Sequence, residues 1–497
     1  MGTTDSTRAA TPRRRRARIL RGLTTAVIAC AVGVVGLPAV SGASAVAPAV
    51  GGTPKRMMSG WLPYWTTAAS VDAVVANSDL FNDVSPFWHN AAKSSSTPSG
   101  VTIQNNSLSS GSRASNLATL RGRGVAILPS ITDGTGAGHL SSVMKSGAKR
   151  AALVSQIVNL VAANGYDGID LDFEKFAFSD GESTWAATRP AWVAFVAALG
   201  SQLHARGKQL AVSVPPMGVT GNNYWVYDWA GIEPHIDKLR IMAYDYSWSS
   251  PGPIGGPLSW VRKVAAYAVS VLPPSKVQLG TPTYGRDWVK SKSGSGCPST
   301  SQKVYDSKNI GSAISGVPES SWRRDAASAE RYFNYTVTYG SCRVSRSAWL
   351  PDAATVDARA RIASEYGLNG IATWTIGGEQ ASQWAPLREI ARTLPFSAPD
   401  GPRSQAVSVK VTKKTGKKGR KVTIKGGISP ARAGVTVRLQ VKKGGKWKSV
   451  KSVKTLGSGS YKTSIKQSAN RSVYRIKVVG SARYLTKYSG SFTIRAS

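Results

Sequence analysis

The sequence predicts a (β/α)8 TIM barrel with a small insertion between strands seven and eight, followed by a C-terminal Ig-like β-sandwich. Eight short strand-like runs recur over about 340 residues, most of them separated by a helical stretch, and eight such units favour a closed parallel barrel over an open sheet. The last two runs stand nearly 90 residues apart, which leaves room for an inserted element. Beyond Ala398-Pro399-Asp400-Gly401-Pro402 the composition changes and the apolar residues alternate as in antiparallel strands.

Residues 1–45 read as a signal peptide. Arg13 to Arg16, Arg18 and Arg21 form a basic start, Gly22 to Val40 an apolar run, and Ala43-Ser44-Ala45 a small-residue cleavage site. A membrane anchor is the alternative, Val27-Ile28-Ala29-Cys30 resembles a lipoprotein cleavage box, and the paired arginines allow a twin-arginine route. No later apolar run approaches membrane length, so an extracellular protein is expected. Residues 46–56 form a Pro/Gly/Ala linker.

The barrel is expected over 57–397, with strands at 59–65, 84–88, 125–129, 168–174, 209–214, 239–246, 277–284 and 370–376. Val154, Ile157, Val158 and Val161 have helical spacing, and Asn164-Gly165 is a stop signal. A second helix is expected after Pro190, with Trp192, Phe195, Val196, Leu199 and Leu203 on one side and Gly207 at its end. A third should begin near Ala353 and end at Tyr366-Gly367. Strands two and three are separated by a polar stretch rich in Ser and Asn. The insertion, 286–345, holds Cys297 and Cys342, an even pair that suits a disulfide in an exported chain, with two buried thiols as the alternative. After a linker at 398–405, residues 406–497 should form about seven strands, with turns at Gly426-Gly427, Gly444-Gly445 and Gly457-Ser458-Gly459.

Charge divides the chain in the same way. Of a net +38, residues 401–497 carry +25, from 17 Lys and 8 Arg with no acid, and residues 1–45 carry +6. The 355 residues between them carry only +7, so the active part does not have the basic field of a nucleic-acid enzyme, and no nucleic-acid partner is expected. The tail should instead attract an anionic cell-wall polymer. His89, His139, His204 and His235 are scattered without ligand spacing, and neither a cofactor nor a metal is expected.

The chemistry concentrates in Asp167-Gly168-Ile169-Asp170-Leu171-Asp172-Phe173-Glu174. Residues two apart on a strand share a face, so Asp170, Asp172 and Glu174 point toward the barrel axis, and Leu171 and Phe173 toward the helices. Burial and mutual repulsion both favour protonated carboxyls in such a row. Glu174, at the carboxyl end where barrel sites are built, is the proton donor, Asp172 its partner, and Asp170 tunes Asp172. Aligned carboxylates also suit a divalent metal, which is the competing reading.

This segment resembles the Asp-x-x-Asp-x-Asp-x-Glu signature of glycoside hydrolase family 18, matched by Asp167, Asp170, Asp172 and Glu174 on the fourth strand. Met242-Ala243-Tyr244-Asp245, Leu279 to Gly285 and Gly370 to Glu379 resemble the family's strand-six, strand-seven and strand-eight ends. The resemblance covers roughly 57–396 and implies a retaining, substrate-assisted hydrolase of N-acetylated glycan polymers. Glu174 would be the acid and Asp172 would orient the substrate acetamide. Tyr244 would hydrogen-bond the acetamide oxygen and Trp374 would lie under the sugar, with Asp245, Met242, Trp61 and Tyr284 also lining the binding site.

One departure is informative. The family's third strand often reads Ser-x-Gly-Gly, whereas this chain has Ser130-Ile131-Thr132-Asp133, closer to the bacterial spore-cortex and cell-wall branch. Chitin or its oligosaccharides are the first expected substrate. Peptidoglycan, N-glycan cores and a non-catalytic glycan-binding role are the alternatives. The barrel also holds 14 of the 15 tryptophans, among them Trp65, Trp88, Trp225, Trp229, Trp248 and Trp288 near strand ends, as core or as sugar platforms. A monomer is expected.

Overall fold

The computed structural model describes residues 54–397 and 406–496, apart from 107, 220–222, 300–301, 310–313, 315–318, 413, 430–433, 457, 467–470 and 481–485. The expected signal peptide, most of the first linker and the whole second linker lie outside the described residues.

All eight barrel strands form. They are Met58–Pro63, Asp83–Phe87, a split third strand, Gly168–Asp172, Gln209–Val214, Lys238–Ile241, Val277–Pro282 and Gly370–Trp374, paired in parallel with their neighbours. The third strand is not 125–129 as expected. It runs as Ala126–Ile127 and Ser130–Asp133, because Pro129 has no N–H for the ladder and interrupts it. The second strand divides in step. Asp83–Phe87 pairs with Ala126–Ile127, and the following His89–Lys93 pairs with Ser130–Asp133. These two half-pairings close the barrel. The polar stretch between strands two and three is not loop throughout, since Val101–Asn105 returns antiparallel against His89–Lys93.

The eighth strand begins where only glycine fits. At Gly370, φ is +147° and an added Cβ would stand 1.7 Å from the Met57 carbonyl oxygen. The expected helix ends hold. Helix Gly147–Ala163 stops at Asn164-Gly165 and Ala353–Glu365 at Tyr366-Gly367, with both glycines left-handed. The second helix starts earlier than expected, at Trp185, and carries Pro190 within it. Its first residue, Trp185, is buried with its ring against Tyr224 and Trp225.

The insertion is a five-stranded antiparallel sheet somewhat longer than 286–345. Its strands are Lys303–Asp306, Tyr284–Ser293, Cys342–Leu350, Arg331–Tyr339 and Arg323–Arg324 in spatial order. Cys297 and Cys342 are disulfide-bonded.

The C-terminal residues form two facing antiparallel sheets. One pairs Lys421–Ser429 with Ser460–Lys466, and the other orders Phe492–Ala496, Arg471–Val478, Thr436–Lys443 and Lys446–Lys454. Val422, Ile424, Val437, Leu439, Tyr474 and Ile476 fill the space between them. Gly444-Gly445 is a turn as expected, but Gly426-Gly427 lies inside a strand. Gly426 is there for close approach, since a Cβ would stand 2.0 Å from the Ser408 carbonyl oxygen.

The disulfide spans 45 residues, so in the chain-entropy account its removal costs about 4 kcal/mol. The Cys297→Ser, Cys342→Ser double variant should therefore show a lowered unfolding transition and earlier proteolytic nicking within the inserted sheet. Unchanged unfolding and nicking would mean that the bond does not constrain the unfolded chain.

Candidate active site at the barrel mouth

The fourth strand delivers its carboxylates in the order expected, and each meets a different environment. Asp170 is fully buried. It accepts hydrogen bonds from Trp61 Nε1 at 3.0 Å, Ser130 Oγ at 2.7 Å and Ser213 Oγ at 3.0 Å, and Arg240 stands 3.2 Å away. Arg240 also bonds Asp83 and Ser85, and its Nε donates to Gln278 Oε1 at 3.0 Å. Lys238 pairs with the same Asp83. Burial pushes the Asp83 carboxyl up, but these two cations outweigh it and hold its pKa below the usual range. The barrel floor is thus a matched set of buried charges.

One step up the strand the compensation fades. Asp172 is buried, and its Oδ1 has no hydrogen-bond partner among the described residues. Burial, then Glu174 and Asp170, raise its pKa well above the usual carboxyl range, against the pull of Arg240. Glu174 follows at the start of the short helix Lys175–Phe178 and is half-buried. Burial and the Asp245 carboxylate push it up to about 7. Behind the strand, Phe173 stacks on Phe195 with ring centroids 6.1 Å apart, and its carbonyl accepts from the buried Tyr227 hydroxyl at 2.8 Å.

The sixth-strand end supplies Met242, Tyr244 and Asp245. Asp245 has left-handed backbone at φ +53°. Its Oδ1 accepts from Tyr284 Oη at 2.5 Å and from an Arg286 terminal nitrogen at 2.6 Å. The Tyr244 and Tyr284 rings meet edge to face, 6.4 Å apart. Burial, first of all, keeps both phenols well above their usual pKa, so both remain donors. Arg359 and Glu330 hold this corner from outside. The buried Arg359 guanidinium donates to the carbonyls of Ala243, Gly255 at 2.7 Å and Gly280 at 3.0 Å. Glu330 accepts from the backbone N–H groups of Ile254 and Gly255.

Two cavities of about 600 and 510 Å³ meet at Glu174, Phe178, Met242, Tyr244 and Asp245. The first is walled by Trp61, Trp65, Phe87 and Trp374, and the second by Pro215, Pro216, Tyr224 and Trp248. Glu174 and Tyr244 therefore stand in the middle of one cleft that is aromatic on both sides. Trp374, whose peptide to Thr375 is cis, packs edge-on against Phe87 at 5.0 Å and Trp61 at 5.9 Å.

The expected site residues do not all reach the cleft surface. Glu174, Asp172, Tyr244, Asp245, Met242 and Trp374 line it. Trp61 lines it only by an edge, being 1% exposed and tied to Asp170. Asp170 and Tyr284 stand behind the lining, Asp170 bonded to Trp61 and paired with Arg240, and Tyr284 bonded to Asp245. Of the remaining strand-end tryptophans, Trp65 and Trp248 are exposed in the cleft, Trp88 and Trp229 are core, and Trp288 is buried with its Nε1 on the Trp248 carbonyl. Trp225 is partly buried and donates to Glu182.

Sequence reasoning missed Arg240, Tyr227, Arg359, Glu330 and Asp133. Asp133 lines the cleft, with Oδ1 bonded to Thr135 and Oδ2 unpartnered among the described residues, and burial raises its pKa. Its position at the end of the third strand was the available signal. The other four are ordinary by sequence, and only their burial marks them. No group of three or more His, Cys, Asp or Glu residues among the described residues is arranged to hold a metal ion.

Comparison with known proteins agrees with this geometry. The chain is 29% identical over 270 residues to YdhD of Bacillus subtilis (strain 168), a candidate sporulation-specific glycosylase, covering 51% of this chain and 58% of that protein. It is 25% identical over 269 residues to the cortical fragment-lytic enzyme of Bacillus anthracis, covering 53% and 59%. It thus spans under two thirds of the length of these relatives. The fold matches a chitinase from Chromobacterium violaceum ATCC 12472 with TM-score 0.56 and 24% identity, over 67% of this chain and 98% of that one. The family model for glycosyl hydrolases family 18 matches residues 66–379, a span that contains the carboxylate strand, the sixth- and seventh-strand corner and Trp374. The chain belongs to glycoside hydrolase family 18.

Proposed function

We propose that the protein is an exported, retaining glycosidase that cleaves β-1,4 bonds at N-acetylglucosamine in a cell-wall glycan of the peptidoglycan type. The observation that carries the chemistry is Glu174, half-buried at the centre of an aromatic cleft with its pKa near 7 beside a protonation-prone Asp172. A carboxyl in that range can give a proton and take one back at neutral pH. Two relatives, from Bacillus anthracis and Bacillus subtilis, are named cortical fragment-lytic enzymes, which favours a wall glycan over chitin. A plant class V chitinase, 24% identical over 269 residues, keeps chitin as the second reading.

In the mechanism, protonated Glu174 donates to the glycosidic oxygen as the bond to the anomeric carbon breaks. The substrate's acetamide oxygen attacks that carbon from the opposite face and forms an oxazolinium ion. Asp172 turns Oδ1, unpartnered among the described residues, to the acetamide N–H, and in its ionised form balances the positive charge. Tyr244, which stays protonated, donates to the acetamide oxygen and fixes its line of attack. Water then opens the ring while Glu174 acts as base, giving retained configuration. Asp170 and Arg240 hold the strand beneath Asp172, and Tyr284 and Arg286 hold Asp245. Trp374 supplies the apolar floor under the reacting sugar.

Glu174→Gln should lower turnover by about 10²- to 10⁴-fold while glycan binding persists. Retention of more than about a tenth of wild-type turnover would remove Glu174 as the acid. A carboxyl raised by burial and by Asp245 is a competent acid below its pKa and loses its proton above it. kcat/KM should therefore fall as pH rises through about 7. Asp245→Asn removes a repelling charge, so this alkaline limb should move to lower pH; an unmoved limb would separate Asp245 from the titration of Glu174. Side-by-side release of reducing ends from purified peptidoglycan, chitin oligomers and a high-mannose glycopeptide tests the substrate. Peptidoglycan should be cleaved fastest, and preference for chitin oligomers would restore the chitinase reading.

A further inference from the structure

The larger sheet of the C-terminal sandwich carries charges on its outer face that nothing in the domain neutralises. Along Thr436–Lys443 and Arg471–Val478, the residues Val437, Leu439, Val441, Tyr474, Ile476 and Val478 are buried in the core. Strand alternation therefore puts Arg438, Gln440, Lys442, Arg475 and Lys477 on the opposite face. The register sets Arg438 directly across from Lys477, and Gln440 across from Arg475. Like charges directly opposite one another destabilise a strand pair, and residues 401–497 contain no Asp or Glu to relieve them.

Arg475 is also held in place. Its Nε donates to Gln440 Oε1 at 2.9 Å, and Gln440 Nε2 donates in turn to Ser449 Oγ at 3.2 Å. Its guanidinium lies over the Trp447 ring at 4.4 Å and the Tyr488 ring at 4.0 Å. The two terminal nitrogens make no hydrogen bond with a described residue. A fork clamped on one edge and open on the other is preorganised for two anionic oxygens of one group.

We propose that this face is a docking site for a phosphodiester-linked polyol polymer. Arg475 takes two non-bridging oxygens of one phosphate, and Arg438, Lys477 and Lys442 meet the neighbouring phosphates. Charge complementarity demands a polyanion, and a phosphodiester chain repeats its single charge along its length as these cations repeat across the sheet. Single-stranded nucleic acid binds by stacking bases on free aromatic faces, but Arg475 already covers a face of both Trp447 and Tyr488. The inference does not rest on the hydrolytic reading of the barrel.

The test is binding of the full chain to poly(glycerol phosphate) at about 50 mM salt, where surface attraction is weakly screened. Arg475→Gln should weaken binding about 10-fold, through loss of a charge-assisted fork. Arg475→Lys should recover only part of that loss. Arg438→Gln, at an exposed position, should cost about 3-fold. Lys462→Gln removes one equal charge from the other sheet and should cost less than about 2-fold. Equal losses for Arg438→Gln, Arg475→Gln and Lys462→Gln would overturn the site in favour of diffuse attraction. Equally tight binding of hyaluronate or of a single-stranded oligonucleotide would overturn the ligand class. Hydrolysis of soluble oligomers by each variant should stay at the wild-type rate, so the outcome is separable from that of the catalytic reading.

Discussion

Two carboxylates on one face of a buried strand, with a third just past its end, are the constraint around which the barrel is organised. Buried charge is costly unless it is paired, so each acid needs either a partner or a proton. The chain grades the two answers along the strand. Asp170, at the floor, has Arg240 and three hydrogen-bond donors. Asp172 keeps one oxygen without a partner among the described residues, and Glu174 at the mouth is raised to about 7. Pairing below fixes the strand, and incomplete compensation above leaves protons that can move.

That grading shapes the rest of the interior. Barrel cores are ordinarily filled by branched apolar side chains. Here Ser59, Asp83, Ser85, Ser130, Ser213, Lys238, Arg240 and Gln278 are buried. Such ion pairs are weak evidence for stability, since desolvation offsets much of their attraction. Their effect is positional. Arg240 ties the sixth strand to Asp83 on the second and Asp170 on the fourth, while outside the barrel Arg359 ties the ends of strands six and seven. The Tyr244–Asp245 corner is thus fixed against the fourth strand by cations on both sides of the wall.

The carboxylate row and the barrel strands were legible in the sequence because alternation and spacing are local properties. Asp170 and Asp172 share a face by their spacing alone, whereas Glu174, expected on the same strand, stands past its end in helical backbone. The split of strands two and three was not legible, because Pro129 marks a break but not the second pairing that His89–Lys93 makes above it. Pro190 misled in the other direction, since burial of Trp185 against Tyr224 and Trp225 carries the helix past a poor former. Gly426 reads as a turn and is a close approach, a distinction set by Ser408 and Tyr461 from distant parts of the chain. Arg240 and Arg359 look like surface residues until the fold buries them. What the sequence concealed is where distant segments meet.

The separation of charge along the chain follows from the same chemistry. Glu174 is raised toward its protonated form, and any strong positive potential at the cleft would favour its carboxylate. Burial, first of all, and the Asp245 carboxylate raise Glu174. Twenty-five positive charges carried on the barrel would have opposed that balance, whereas on a separate sandwich they are screened within a Debye length of about 8 Å at physiological salt. A strongly basic surface and a raised carboxyl can therefore coexist in one chain, because different folds carry them and salt screens the field of each.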